Sequence, residues 1–382
     1  MVDYNYCLGS LAHPGVIFTE LTLSNVSYDR QLNYTGSFQG AFYMSDPKAP
    51  LAVQYFNPGQ VAIYAYRDGE CIWGGIGWSF QYSSSDQSFS ITGQTWESYF
   101  DHVVLAEDFV SANIASELYG GSGIETNCSD IPLYFFLPSS PGFLQPSIGI
   151  NIPTDYPFGV TGDEAFPTLN LQHSEYHFAS EVMTALYAND IIMTIDPLTR
   201  TVRYDGYYPG VPGAGSIRNG TLPYREFWYP GTISDYSWSN SATPAGVQIV
   251  ATGAGSSSFV ITADDPVNAS LPTDTVPWWK VVNNPDITNM PDLQSYAYNQ
   301  ARLFSPSNQN VPTFICNPEA AKFDLFNVLG ANIAVNINDA RTGYRNQRYV
   351  DTLVGWQLTP ASSTSDEELQ FVVGKTVALG AV

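Results

Sequence analysis

The sequence is short of the residues from which reactive centres are most often built: among 382 residues there are four histidines, four cysteines and 14 lysines and arginines. Cys7, Cys71, Cys128 and Cys316 lie far apart with no CxxC pair, which excludes a zinc ribbon and a dense disulfide framework and leaves free or buried thiols as the expectation. Basic residues are outnumbered by 36 acidic ones, and the net charge of −22 opposes capture of nucleic acid or anionic membrane by phosphate neutralisation. Nowhere do 18 apolar residues follow one another. The opening MVDYNYCLGSLAHPGV has neither a basic start nor an apolar run, so the chain is expected to be soluble and not secreted by the signal-peptide route. The sequons at Asn25, Asn33, Asn127, Asn219 and Asn268 therefore carry little weight. GxSxG, GxxxxGKS and GxGxxG are all missing, and with them the common hydrolase and nucleotide-binding signatures.

What is present is aromatic and strand-like. Hydrophobic residues make up 44% and aromatic residues 14%, against 13% charged, a mix suited to flat strand faces packed together. The length suits two or three domains. Ile17, Thr19, Leu21 and Leu23 alternate, and FQGAFYM (Phe38 to Met44) adds an aromatic strand. VAIYAYRDGECIWGG forms a hairpin turning at Asp68-Gly69, a pair tolerant of positive φ. Trp73 to Leu105 continues it: Ile76, Trp78, Phe80 and Tyr82 form an apolar stripe, SSSDQ turns, Phe89 and Ile91 return, and Trp96, Tyr99 and Phe100 take helical spacing. That gives at least six strands by residue 93 and favours a small barrel or sandwich, which hides strand edges.

Beyond residue 105 the pattern changes. Val110, Ile114 and Leu118 recur four apart behind Asp108, a helix-cap residue type, and Phe178, Val182 and Leu186 mark a second helix. Gly120 to Leu171 is rich in Gly, Pro, Ser and Asn and reads as short irregular strands or a functional loop. DIIMTIDPLTRTVRYDG is a strand, an Asp196-Pro197 turn and a strand, and Tyr207 to Gly231 is a Pro/Gly-rich boundary. TISDYSWSN, GVQIVATGAG and SSFVITADD follow as β segments. A helix opens at Asn289 to Asp292 and places Leu293, Ala297, Ala301 and Phe304 on one face. ANIAVNIND, YVDTLVGWQLTP and EELQFVVG close a second strand-rich region.

Candidate chemistry is sparse. His173 and His177 in HSEYH stand at the i, i+4 spacing of metal ligands on one helix face, but a surface or helix-start pair accounts for them better. Glu97, Asp101, Asp235, Glu367 and Glu368 are possible members of a glycosidase carboxylate pair, and each reads better as a solvated charge. Eight tryptophans and 25 tyrosines offer rings for sugars, yet Trp78, Phe80 and Tyr82 sit on a stripe that reads as core or subunit contact. No catalytic, cofactor-binding or metal-binding residue is assigned, and no cofactor is expected.

The arrangement resembles the tail hub proteins of long-tailed bacteriophages, the baseplate hub or minor tail proteins. The resemblance is carried by the opening β run, RDGECIWGGIGWSF, SFSITGQTWESYFDHVVL and DFVSANIASELYG, then by YSWSNSATPAGVQIVATGAG, MPDLQSYAYNQARLF, LGANIAVNI, YVDTLVGWQLTP and EELQFVVG. It implies a mainly β chain with α+β insertions: two tail-tube-like β-barrel or sandwich domains, residues 1–105 and 231–263 with 311–382, and two smaller helix-containing domains, residues 106–230 and 264–310. It further implies a non-enzymatic virion protein of the tail tip, assembled in the host cytoplasm as a homotrimeric ring. Its partners would be tube, distal tail, tape-measure and tip or fibre proteins. In that setting an acidic channel wall would let tape-measure protein and DNA pass without adhering. The alternative reading is a carbohydrate-binding or glycan-cleaving β protein acting at the host surface, and a more distant one is an adhesin stabilised by its cysteines.

Overall fold

The computed structural model describes residues 2–121, 124, 126–144, 148–153, 169–187, 192–205, 225–240, 248–255, 257–262, 278–285, 287–304, 310–316, 329, 332–341, 344–361 and 366–373. The chain divides into two compact units, Met1–Ser234 with Ile315–Phe371, and Asp235–Phe314 with Val372–Val382. It is mainly β, with a large, mostly antiparallel sheet and short helices.

The first unit opens with β1 (Tyr4–Ser10), β2 (Ile17–Leu21), β3 (Ser24–Gln31), β4 (Ser37–Tyr43), helix α1 (Ala49–Tyr55), β5 (Val61–Arg67), β6 (Glu70–Ser83) and β7 (Ser88–Thr95). Hydrogen bonding orders the strands β3-β4-β7-β6-β5-β1-β2. Where one face is solvated the alternation is clean: β7 buries Phe89, Ile91, Gly93 and Thr95 and exposes the residues between. At the β5–β6 turn both Asp68 (φ 51°) and Gly69 (φ 83°) take positive φ, the geometry of a tight two-residue hairpin. Seven strands precede residue 96, in keeping with at least six by residue 93. Two of them had no sequence reading: β1, whose last five residues are all buried and therefore show no alternation, and β3, whose SNVSYDRQ is rich in turn-forming residues. Helix α1 was also not anticipated, being too short for a periodic signature.

The apolar stripe of β6 is not wholly inward. Its register against β7 shifts between Gly77 and Ser79, and a bulge of this kind re-aims the side chains beyond it. Trp78 and Phe80 are half-buried, while Tyr82 is 50% exposed.

After β7 the chain tightens into a 3₁₀ helix, Trp96–His102, that buries Trp96, Tyr99 and Phe100 as their spacing predicts. Next come β8 (Phe109–Val110), α2 (Ser111–Tyr119), α3 (Asp130–Phe136), β9 (Asn170–Leu171), α4 (Ala179–Tyr187), β10 (Ile192–Ile195) and β11 (Val202–Asp205). Ile114, Val182 and Leu186 are buried in one cluster with Trp96, Phe100 and Phe135. Asp108 does not cap α2: Val110 is the capping residue, drawn into the β8–β9 pair, and Asp108 Oδ1 instead accepts the His173 backbone N–H at 2.7 Å. The region expected to be irregular contains α3, all seven residues of which are buried. Its apolar run DIPLYFF is too short to separate strand from helix by period. Within that region 122, 123, 125, 145–147 and 154–168 lie outside the described residues, as do 207–224 of the Pro/Gly-rich boundary.

The β10–β11 hairpin seats on the opening β run through a buried polar network. Trp96 Nε1–H donates to Pro197 O at 3.1 Å, Arg30 Nη2 to Ile195 O at 2.9 Å, and the Met193 N–H to Asn33 Oδ1 at 3.0 Å. Gly74 makes room for it, since a Cβ there would lie 2.1 Å from Pro197 O. Arg200, just past the hairpin turn and fully buried, donates to Ser10 O (2.9 Å), the Tyr64 hydroxyl (2.8 Å) and the Leu11 and Ile148 carbonyls.

The later elements are β12 (Arg225–Tyr229), β13 (Ile233–Asn240), β14 (Gln248–Thr252), β15 (Ser258–Thr262), β16 (Trp279–Asn283), α5 (Met290–Phe304), β17 (Asn310–Cys316), β18 (Asn332–Asp339), β19 (Tyr344–Thr359) and β20 (Glu368–Val373). In the first unit β12 runs parallel to β18, β18 antiparallel to β19, and Gly355–Leu358 of β19 antiparallel to β3. The described pairing path runs open and ends at β2, and no described pairing closes it into the expected barrel.

In the second unit β15-β14-β16 form a three-stranded sheet with β14–β16 parallel. Leu293, Ala297 and Ala301 of α5 pack on Ile249, Ala251, Ile261 and Val282, as the helix periodicity predicts. The Phe304 side chain lies outside the described residues.

Candidate interaction surfaces

Of the carboxylates that could have formed a hydrolytic pair, the two buried ones each face a different arginine. Glu97 is buried 3.9 Å from the Arg30 guanidinium. Glu367 accepts two hydrogen bonds from Arg67, Nε at 2.9 Å and Nη2 at 3.1 Å, and a third from the Tyr4 hydroxyl. Burial pushes the Glu367 carboxyl up to about 7. Asp101, Asp235 and Glu368 are exposed.

The histidine pair does not share a helix face. His173 belongs to a 3₁₀ turn, His173–Glu175, Tyr176 follows at φ 59°, and α4 begins only at Ala179. Glu181 and Glu175 take both ring nitrogens of His177, at 2.8 and 2.9 Å, and raise its pKa. Among the described residues no group of three or more His, Cys, Asp or Glu is placed to hold a metal ion. All four cysteines are free thiols. The sequon residue Asn33 is buried, whereas Asn219 and Asn268 lie outside the described residues.

An open cleft of about 530 Å³ is lined by Tyr43, Asp46 and Lys48 among others. Its charged groups are already engaged: Lys48 Nζ donates to Glu20 at 2.9 Å, and Asp46 Oδ1 accepts the Lys48 backbone N–H at 2.7 Å.

Two apolar surfaces stand out instead. The first lies on β2 and α1, where Val16, Ile17, Phe18, Leu51, Val53 and Tyr55 are all exposed and Phe18 stacks on Tyr55 with centroids 5.1 Å apart. Helix α1 contains no charged residue, and the nearby Lys48 and Glu20 neutralise each other. Because α1 spends its small residues, Ala49 and Ala52, on the core, its larger ones face outward.

The second surface is the sheet face opposite α5. Register places Val260, Val250 and Val281 side by side across the three strands, with Trp279 beside Gln248 one step along. Trp279 is 58% and Val281 63% exposed. Every position on this face is uncharged: Gln248, Val250, Thr252, Ser258, Val260, Thr262, Trp279, Val281 and Asn283. β-Branched and aromatic side chains on a solvated sheet face are a mark of an interaction site.

No protein-family model matches the sequence, and no curated protein matches it either. Among solved structures, the chain is similar to the tail protein from Neisseria meningitidis MC58, with a TM-score of 0.58 and 13% identity over 98% of each chain. It is similar to the 43 kDa tail protein of prophage MuSo2 from Shewanella oneidensis, with a TM-score of 0.60 and 12% identity over 98% of this chain and 99% of the other. It is also similar to prophage tail protein gp18 from Listeria monocytogenes EGD-e, with a TM-score of 0.53 and 8% identity over 97% and 95%. The fold is that of phage tail proteins. The resemblance read from the order of sequence segments is thus present as a fold, end to end. No described helix is long and apolar enough to cross a membrane.

Proposed function

We propose that the protein is a structural, non-catalytic component of the phage virion: a ring-forming tail-tip hub that joins the tail tube to the tip and lines the channel for tape-measure protein and DNA. The observation that carries this reading is the extent of the fold match, which takes in 98% of this chain and 98–99% of two tail proteins. The engagement of the two buried candidate carboxylates, Glu97 and Glu367, each with its own arginine, supports an absence of glycosidase chemistry.

In this reading residues 1–105 and 231–263 with 311–382 are the two tube-like β domains, each completing its closure against neighbouring chains. Residues 106–230 and 264–310 are the helix-containing insertions. Three copies form the ring, which meets tube and distal tail proteins on one side and tip or fibre proteins on the other. The net charge of −22 suits a wall past which DNA slides without adhering. Light scattering of the purified chain across a concentration series tests the reading. The expected result is a mass of three chains, alone or on addition of the adjoining tail proteins, and a chain that stays monomeric in both conditions overturns it.

A further inference from the structure

We infer that the two uncharged apolar surfaces are counterparts: the sheet face carrying Trp279, Val281 and Val260 of one copy docks on Phe18, Leu51 and Val53 of the next. This rests on the ring reading and deepens it by naming the contact.

Three observations lead there. First, a second copy brings a like charge of −22, so approach is least opposed where neither surface carries net charge. The β14–β16 face has no charged position, and on the β2–α1 surface the charged groups, the paired Lys48 and Glu20 and the neighbouring Asp46, lie at the margin rather than among Phe18, Leu51 and Val53. Second, each surface leaves several large side chains 37–63% exposed, an arrangement with a desolvation gain only when covered. Third, the two surfaces differ in shape and belong to different units. Face-to-face pairing of the sheet with itself would stop at two copies and leave Phe18, Leu51 and Val53 in water. Pairing one surface with the other covers both with a single type of contact, and a head-to-tail contact of that kind closes rings when the rotation permits.

The test uses two full-length variants, Phe18→Cys and Val281→Cys, treated with a short bismaleimide separately and mixed. Background is low because Cys7, Cys128 and Cys316 are buried and Cys71 is half-buried. The expected result is a cross-linked dimer in the mixture and none from either variant alone. Dimer from Val281→Cys alone would mean that the sheet face pairs with itself, which overturns the inference. No dimer in the mixture, with the wild-type chain still sedimenting as a ring, overturns it while leaving the ring reading intact. A wild-type chain that is monomeric with and without its neighbouring tail proteins removes the ring reading itself. Val281→Asp gives a second readout: a folded chain, by unchanged near-ultraviolet dichroism, whose mass falls to that of one copy.

Discussion

Arg200 lies over the indole of Trp96, its guanidinium carbon 4.2 Å from the ring centroid, and the two residues lock the β10–β11 hairpin to the opening β run from opposite sides. Trp96 reaches the turn through Pro197 O, while Arg200 reaches back to Ser10 O, Leu11 O and Tyr64. Burial lowers the Arg200 pKa, and the Tyr64 hydroxyl opposes that shift. A buried cation of this kind is tolerable only because carbonyl dipoles and an aromatic face replace its water.

Replacing Arg200 with methionine keeps the volume but strands those acceptors. The expected loss is about 1–3 kcal/mol, the usual consequence of leaving buried neutral acceptors unsatisfied. The urea midpoint of the first unit's transition reads it. A loss below about 1 kcal/mol would mean that water enters the site and that the network does not hold the hairpin.

Gly74 makes a sharper prediction, because the obstacle to a side chain there is backbone. With Pro197 O 2.1 Å from an added Cβ, and Pro197 C at 2.9 Å, Gly74→Ala must push the hairpin turn away and lengthen the Trp96–Pro197 bond. Overpacking of this sort costs about 1–3 kcal/mol. Thermal unfolding should show the loss, together with a shift in Trp96 fluorescence that a merely looser β6 would not produce.

These contacts explain which parts of the fold could be read from sequence. Strands with one wet face, such as β7, and helices with a complete apolar stripe, such as α5, announce their period. β1 and α3 do not, since both are buried nearly all round and their apolar runs fit strand or helix equally. The Gly74-Gly75 pair in IWGGIG is visible in the sequence, but its causes are not: Gly74 answers to Pro197 in a hairpin more than 100 residues away, and Gly75 to Gln94 O of β7. Glu97 and Glu367 resemble solvated charges until the fold brings Arg30 and Arg67 to them. The apolar surfaces were equally hidden, because Val281 and Val282 differ in exposure only through the position of α5.

His177 should titrate above its ordinary value, because the carboxylates of Glu175 and Glu181 both favour its charged form. Its contribution to stability is therefore fully present below the unfolded pKa and is lost as pH rises through the higher folded one. The imidazole resonances, followed by NMR, should move at a lower pH in Glu175→Gln and lower still when Glu181→Gln is added. An unchanged titration in the double variant would show that neither contact persists in solution.

The Arg67–Glu367 pair gives a pH dependence of the same sign from a different cause, burial rather than neighbouring charge. Burial raises the Glu367 carboxyl from an ordinary 4.5 to about 7, so the folded chain holds this proton more tightly than the unfolded chain does. A group that binds its proton more tightly when folded lends stability at low pH and withdraws it as pH rises, here between about 4.5 and 7, with no further change above. Comparing urea midpoints of the wild type and Glu367→Gln isolates the effect, because glutamine cannot titrate and other carboxylates are common to both. The difference, wild type minus variant, should fall across that window and then level off. A difference that rises with pH would mean that the two hydrogen bonds from Arg67, at 2.9 and 3.1 Å, outweigh burial and keep Glu367 ionised. In that case the pair would act as a fixed clamp between β5 and the residue preceding β20, insensitive to pH near neutrality.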